Sequence, residues 1–312
     1  MCTAIKFNDR LFGRTFDFER SFGEQILVSP RGRIKIGRAE NRYAIMGIGV
    51  KSGGTSLYFD GINEWGLTAA ALNFPGFAVY HEPRAGKVGI PSAHLISMML
   101  GFCRSASEVR EMMKNLTVTS DSSGTGHDAT PLHWMVADPR EAIVIESVAD
   151  GLRVQENEAM VLTNSPGFSY HLTRLADYSS LSVRNPDSRE QPPHSRGSGA
   201  IGLPGDYSST SRFVRAAFLA KNCSIDPDMP DGIGLAFDIL ASVSVPRGAV
   251  ITDEGLPSYT RYTIVADMEN PAYYLTTATC RTVSRLRLTD SLCESSHIIS
   301  MPFYREEKIL DF

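Results

Sequence analysis

The sequence has no long apolar run, no block of like charge, no C-x-x-C pair and no histidine cluster, and each absence removes a class of function. The longest apolar stretch, Leu95 to Cys103, is broken by Ser97 and Gly101 and falls far short of the ~20 residues of a membrane span. Lysine and arginine number 31 against 35 acidic residues, a net charge of −4 spread along the chain. No general affinity for nucleic acid or anionic lipid follows from that balance. The five cysteines, Cys2, Cys103, Cys223, Cys280 and Cys293, are odd in number, which points to reduced thiols rather than a disulfide framework. The seven histidines stand singly, without H-E-x-x-H or another tight ligand spacing, so no metal is expected. The N-terminus, Met1 to Arg10, lacks a basic region followed by an apolar stretch, so a cytoplasmic protein without a secretory signal is expected.

What is present is enough apolar residue, 42% of 312, to bury a full core. Strand candidates crowd the first third: Cys2 to Phe7, Phe12 to Phe18, Gln25 to Val28, Tyr43 to Val50 and Leu67 to Phe74. Asn8-Asp9 and Asp60-Gly61 supply turn chemistry between them. A helix apolar on nearly every side is expected around Leu95 to Phe102. A second opens with Ser105 and Glu108 at capping-box spacing and repeats Val109, Met112, Met113 and Leu116 on one face. Strands return at Leu132 to Ala137 and Ala142 to Glu146, joined by a turn at Asp138-Pro139-Arg140. A long aperiodic segment, 184 to 199, carries Pro186, Pro192 and Pro193; loops of that length are commonly functional. Helices around Phe213 to Leu219 and Ile233 to Val243 precede strands at Thr260 to Ala266, Ala272 to Ala278 and Thr282 to Leu288. This order reads as two stacked sheets covered by helices, in a single domain over 2–312 with Met1 removed.

Gly197-x-Gly199-x-x-Gly202 satisfies a dinucleotide-binding pattern but follows a Pro-rich loop and runs into Pro204-Gly205. The fingerprint needs a strand before it and a helix after it, so nucleotide binding is not expected. His133, within an apolar run, reads as a core residue. Cys2 is different. Methionine before a small residue is generally excised, and excision would give Cys2 a free α-amine. An α-amino group titrates near ~8 and a thiol near ~8.5, so one residue could supply both base and nucleophile near neutral pH.

The segments Met1-Cys2-Thr3, Phe12 to Asp17, Asp60 to Glu64, Leu72 to Gly76, Leu132 to Met135, Leu162 to Pro166 and Gly202 to Asp206 through Ser211-Arg212-Phe213 resemble, in order and spacing, the choloylglycine hydrolase family. That family comprises bile salt hydrolases and penicillin V acylases. The resemblance implies an α+β fold, the four-layered αββα sandwich of two antiparallel sheets flanked by helices. It implies no cofactor. By motif, Cys2 is the nucleophile, Arg14 favours its thiolate, and Asp17 holds or polarises the amine. Asn73 and Asn164 match positions that stabilise the oxyanion, for which amide donors suit because they carry partial positive charge without titrating. Arg212 matches the remaining active-site arginine. Phe16 and Phe59 fall where the acyl pocket is lined, and Arg196 lies in a loop near the amino-acid end of the substrate. The implied partner is a conjugated bile acid, cleaved through a thioester. The rival readings are penicillin V acylase, from which Asn73 argues away, and a non-catalytic binding protein on the same fold, for which all six polar residues would be unneeded. The 184 to 199 segment resembles one that reaches a neighbouring subunit, implying a homotetramer.

Overall fold

The computed structural model describes residues 1–36, 39–52, 55–83, 85–120, 129–186, 196–225, 232–303, 306–307 and 309. The chain begins with β1 (Cys2–Phe7), β2 (Leu11–Phe18), β3 (Gln25–Ser29), the short pair β4 (Lys35–Ile36) and β5 (Ala39–Glu40), β6 (Ile45–Ser52), β7 (Thr55–Asn63), β8 (Thr68–Asn73) and β9 (Val88–Pro91). Helices α1 (Leu95–Phe102) and α2 (Ala106–Met113) follow, then β10 (Leu116–Thr119), β11 (Leu132–Ala137), β12 (Ala142–Val148), β13 (Gly151–Glu156) and β14 (Val161–Leu162). Helices α3 (Phe168–Ala176), α4 (Ser209–Asn222) and α5 (Ile233–Ala241) lead to β15 (Tyr259–Asp267), β16 (Ala272–Thr277), β17 (Cys280–Arg287), the one-turn α6 (Asp290–Cys293) and β18 (Ile299–Met301).

Two large antiparallel sheets are built from most of these strands, while β4 with β5 and β9 with β10 form separate two-stranded pairs. One large sheet has six strands in the order β14-β1-β2-β15-β16-β17, and the other eight in the order β13-β12-β11-β8-β7-β6-β3-β18. Side chains of the larger sheet alternate between two cores, as the period of two requires. Met46, Ile48, Leu72, Met135 and Val144 join the cluster that holds Phe16, Tyr262 and Ile264 of the smaller sheet. Ile45, Ala71, Trp134, Val136 and Ile143 point the other way, into a second cluster with Leu95, Met99 and Val109 of α1 and α2. Because both faces are covered, β11 and β12 read as nearly continuous apolar runs. Helices α4 and α5 pack on β1, β2 and β15, and α3 packs on α4. The layers are therefore helix, sheet, sheet, helix, the αββα sandwich. Among the described residues no helix is long and apolar enough to cross a membrane.

Several local expectations need correction. Asp60 and Gly61 lie inside β7, not in a turn; Gly61 is needed where Leu100 crosses, a Cβ there meeting its Cδ1 at 2.8 Å. Leu116 belongs to β10 rather than to the end of α2. Beyond the expected elements the structure adds strands β4, β5, β7, β9, β10, β13, β14 and β18 and helices α3 and α6. Ser105 does cap α2, accepting from Glu108 N at 3.2 Å, but the Glu108 carboxylate reaches Arg104 N rather than the cap residue. The Gly197 to Gly202 stretch forms a turn and the 3₁₀ segment Ser198–Ala200 and runs on into coil rather than opening a helix. The long segment keeps its described ends, while 187–195 lie outside the described residues.

Candidate active site

Strand pairing decides which groups meet the N-terminal thiol. In the β1–β2 ladder Cys2 faces Phe16 and Thr3 faces Thr15, and in the β2–β15 ladder Tyr262 faces Phe16 and Thr260 faces Asp17. Alternation then sends Cys2, Arg14, Phe16 and Tyr262 toward the opposite sheet. Thr3, Thr15, Asp17 and Thr260 point toward the helices. The first residue of β1 is thus approached from both sides, and its side chain is 2% exposed.

On the inter-sheet side Arg14 is fully buried and donates from Nη2 to Cys2 Sγ at 3.0 Å. Its Nη1 donates to Phe59 O at 2.9 Å and Asp60 Oδ2 at 3.2 Å. A guanidinium fork spans the two sheets in this way, which a point-charge lysine could not do. Burial opposes the Arg14 charge, but Cys2, Tyr262 and Asp60 outweigh it and raise its pKa above the ordinary value. Asp60 is itself fully buried and accepts from Tyr262 at 2.8 Å and Tyr273 at 3.0 Å. Burial raises its carboxyl above the ordinary range, with Arg14 and the two hydroxyls pulling the other way.

On the helix side Arg212 comes from α4. The preceding Gly202 to Ser211 segment sets up that helix start: the Ser208 hydroxyl accepts from Ser211 N, and bonds from Ser208 and Ser211 lower the Asp206 carboxyl to about 2. Arg212 donates from Nη1 to Cys2 O at 2.6 Å and Thr3 Oγ1 at 2.7 Å, and from Nη2 to Asn164 Oδ1 at 2.8 Å. Burial lowers its pKa, opposed by Asp17 and Cys2. The same Asn164 oxygen accepts the Cys2 N–H at 2.7 Å. Asn164 Nδ2 gives one hydrogen to Asn73 O at 2.9 Å, which leaves its second N–H for another acceptor. Asp17 is fully buried, its carboxylate receiving Thr260 Oγ1 at 2.6 Å and Thr15 Oγ1 at 3.3 Å. Its backbone exchanges bonds with Met1, whose terminal nitrogen donates to Asp17 O at 2.7 Å.

Asn164 is held in turn by residues whose part the sequence does not advertise. His171 Nε2 meets its carbonyl at 2.9 Å, Ser209 Oγ accepts its N–H at 2.9 Å, and His133 Nε2 meets the carbonyl of Thr163 at 2.8 Å. His133 is buried, as a core histidine should be. Beyond the thiol, Phe16 stacks on Phe59 with centroids 5.4 Å apart and on Tyr262 at 4.9 Å. Phe22, partly exposed, closes edge-on against both Phe16 and Phe59.

Five of the polar side chains expected from sequence, Cys2, Arg14, Asp17, Asn164 and Arg212, therefore converge, with Phe16 and Phe59 alongside, and Asn73 joins them through its backbone carbonyl. Arg196 does not join them: it is exposed, in the turn before Ser198, and no bond among the described residues ties it to this cluster. Asp60, Tyr262 and Tyr273 are the members that sequence reasoning missed. A carboxylate set in the aromatic and aliphatic run Tyr58 to Ile62 was the available signal, since a buried charge demands a partner. Among the described residues no group of three or more His, Cys, Asp or Glu side chains could hold a metal ion.

The family of linear amide C–N hydrolases, choloylglycine hydrolase family, matches residues 2–301. A bile salt hydrolase/transferase of Lactiplantibacillus plantarum is 37% identical over 98% of both chains. A conjugated bile acid hydrolase of Lactobacillus acidophilus is 32% identical over 96% of this chain and all of its own. Among solved structures, a mutant conjugated bile acid hydrolase from Clostridium perfringens superposes with a TM-score of 0.91 at 31% identity, covering 100% of this chain and 99% of its own. The penicillin V acylase of Agrobacterium tumefaciens has a TM-score of 0.76 at 23% identity, covering 96% and 90%, a likeness of fold.

Proposed function

The chain belongs to the choloylglycine hydrolase family of linear amide C–N hydrolases, and from that premise we propose that it cleaves glycine- or taurine-conjugated bile acids through a thioester on Cys2. The observation that carries the reading is the Cys2 sulfur 3.0 Å from a buried Arg14 guanidinium, on a residue whose backbone nitrogen is already fixed by Asn164. The curated relatives named bile salt or conjugated bile acid hydrolases match nearly the whole chain, which favours a steroid acyl group over the phenoxyacetyl group of penicillin V.

Removal of Met1 turns the Cys2 nitrogen into an amine in place. A proton passes from the thiol to that amine, and Arg14 stabilises the thiolate by its charge. Sulfur attacks the amide carbonyl carbon, and the free N–H of Asn164 is placed to meet the oxyanion. The amine then gives its proton to the departing nitrogen, so glycine or taurine leaves and the bile acyl group stays on sulfur. Water, losing a proton to the same amine, attacks the thioester; the C–S bond breaks and the free bile acid departs. If an amino acid attacks in place of water, the acyl group is transferred instead, an outcome that suits the hydrolase/transferase activities named for relatives. Asp17 holds or polarises the Cys2 amine, Arg212 holds the Cys2 carbonyl, and Phe16 with Phe59 forms an aromatic wall for the steroid. The resemblance of the 184 to 199 segment also supports a homotetramer, which light scattering at micromolar concentration tests.

The deciding experiment incubates purified protein lacking Met1 with taurocholate, glycocholate and penicillin V, and assays the released amine. Release from the bile salts well above that from penicillin V is expected. Rapid release from penicillin V with none from either bile salt would overturn the reading.

A further inference from the structure

The hydrolytic steps use Arg14 but give no task to the carboxylate on its other side. Asp60 lies fully buried on β7, in the sheet opposite Cys2. Its Oδ2 accepts from Arg14 at 3.2 Å and Tyr262 at 2.8 Å, and its Oδ1 accepts from Tyr273 at 3.0 Å. Three neighbouring strands of the smaller sheet, β2, β15 and β16, send donors to one acid on β7 of the larger sheet. We propose that Asp60 is a positioning residue that acts through Arg14 to set how much positive charge reaches the Cys2 sulfur.

The guanidinium is divided between two anions. Nη2 faces Sγ and Nη1 faces Asp60, so whatever negative charge Asp60 presents is subtracted from what Arg14 offers the thiolate. The division matters because the sulfur changes charge during the cycle. It is anionic before attack and neutral in the thioester. Without a permanent counter-ion, Arg14 would stand buried and unpaired in every acyl-enzyme, a costly state. Asp60 compensates it throughout, and the two tyrosine hydroxyls moderate Asp60 by aiming their positive ends at its oxygens. The other charged or titratable groups facing this cluster are Asp17 on β2, Arg212 on α4 and the N-terminal amine. Asp17 and Arg212 lie on the helix side of β1 and β2, so the inter-sheet charge at sulfur is governed by the Arg14–Asp60 pair.

This inference rests on Cys2 being the nucleophile, and its test reads the thiol without substrate. Alkylation of Cys2 by iodoacetamide is followed against pH on the full chain lacking Met1, by mass spectrometry of the N-terminal peptide. Asp60→Asn keeps an acceptor beside Arg14 and removes one negative charge, so the alkylation midpoint should fall by about one pH unit. The acid limb of kcat/KM should move the same way. Tyr273→Phe removes a positive dipole end from Asp60, and the midpoint should rise by about 0.3 unit. Opposite shifts from the two variants support the assignment. A folded Asp60→Asn protein with an unchanged midpoint and only a lower Tm would overturn it, reducing Asp60 to a structural ion-pair partner. Should Asp60→Asn not fold, a fall or no change in Tyr273→Phe overturns it equally. A chain that cleaves no bile salt yet shows both shifts would refute the proposed substrate and leave this inference standing.

Discussion

At the scale of single residues, the proposed nucleophile is the first residue of β1, and His133 and His171 meet the carbonyls of Thr163 and Asn164 behind it. Cys2→Ala should abolish hydrolysis, by at least about 10⁴-fold in kcat, while the circular dichroism spectrum stays native, because alanine is tolerated in a buried strand and Arg14 keeps its bonds to Phe59 O and Asp60. A Cys2→Ala protein with measurable bile salt turnover would contradict the nucleophile assignment. His171 gives a pH prediction. Burial lowers its pKa below the ordinary histidine value, against the raising effect of the Asn164 carbonyl. Its Nδ1 is buried with no hydrogen-bond partner among the described residues. Below the unfolded-state value near ~6.5 the unfolded chain binds a proton that the folded chain refuses, so stability is full above that pH and declines as pH falls toward the folded value. Tm should therefore drop between pH 7 and 5.5 more in the wild type than in His171→Gln, which can still donate to Asn164 O. Parallel Tm profiles from thermal unfolding would remove His171 from that account.

Secondary-structure elements show why some of the site was legible in the sequence and some was not. β1, β2 and β8 could be read from apolar alternation, and with them came Cys2, Arg14, Asp17 and Asn73 in their motifs. The start of α4 was missed by a few residues, yet the run ending in Ser211-Arg212-Phe213 still marked Arg212. β7 was hidden because Asp60-Gly61 has the composition of a turn, and its true reason is long-range: the partners of Asp60 are 46, 202 and 213 positions away in the chain. β13 was hidden by Arg153, Gln155 and Glu156 on a half-exposed edge, and α3 by a buried face that amounts to Phe168 and His171. Close strand contact supplies a test at this scale. Gly47 on β6 sits against β7 so tightly that a Cβ would lie 2.1 Å from Asp60 O and 2.7 Å from Gly61 Cα. Both neighbours are backbone and cannot rotate away. Gly47→Ala should cost about 3 kcal/mol or more, lowering Tm by several degrees and lowering activity with it, because β7 cannot shift without moving Asp60 away from Arg14. A Tm within one degree of wild type, read by calorimetry, would mean that the strand pair yields more easily than its spacing allows.

Across the whole molecule, the site is a seam between layers rather than the property of one element. The smaller sheet brings Cys2 and Arg14, the larger sheet brings Asn73 and Asp60, and the outer helix layer brings Arg212. Such a seam is complete only when the sandwich has closed, so folding and activity should be lost together on heating. The N-terminus is where they separate. With Met1 in place, both sheets are formed, the terminal nitrogen is tied to Asp17 O, and the Cys2 N–H already points to Asn164. Excision of Met1 removes its two backbone bonds to Asp17 but no side chain of the two cores, Met1 itself being only half-buried. Under the proposed mechanism it does change the chemistry, since an amide nitrogen has no basicity and cannot carry the proton between thiol, leaving group and water. A preparation that retains Met1 should then have a Tm within a few degrees of the mature protein and no turnover of taurocholate. Intact-mass analysis establishes which form is present, and the same sample is assayed for released taurine. Full activity in a sample shown to retain Met1 would place the catalytic base elsewhere, whereas a large fall in Tm would show that the amine itself holds the seam together.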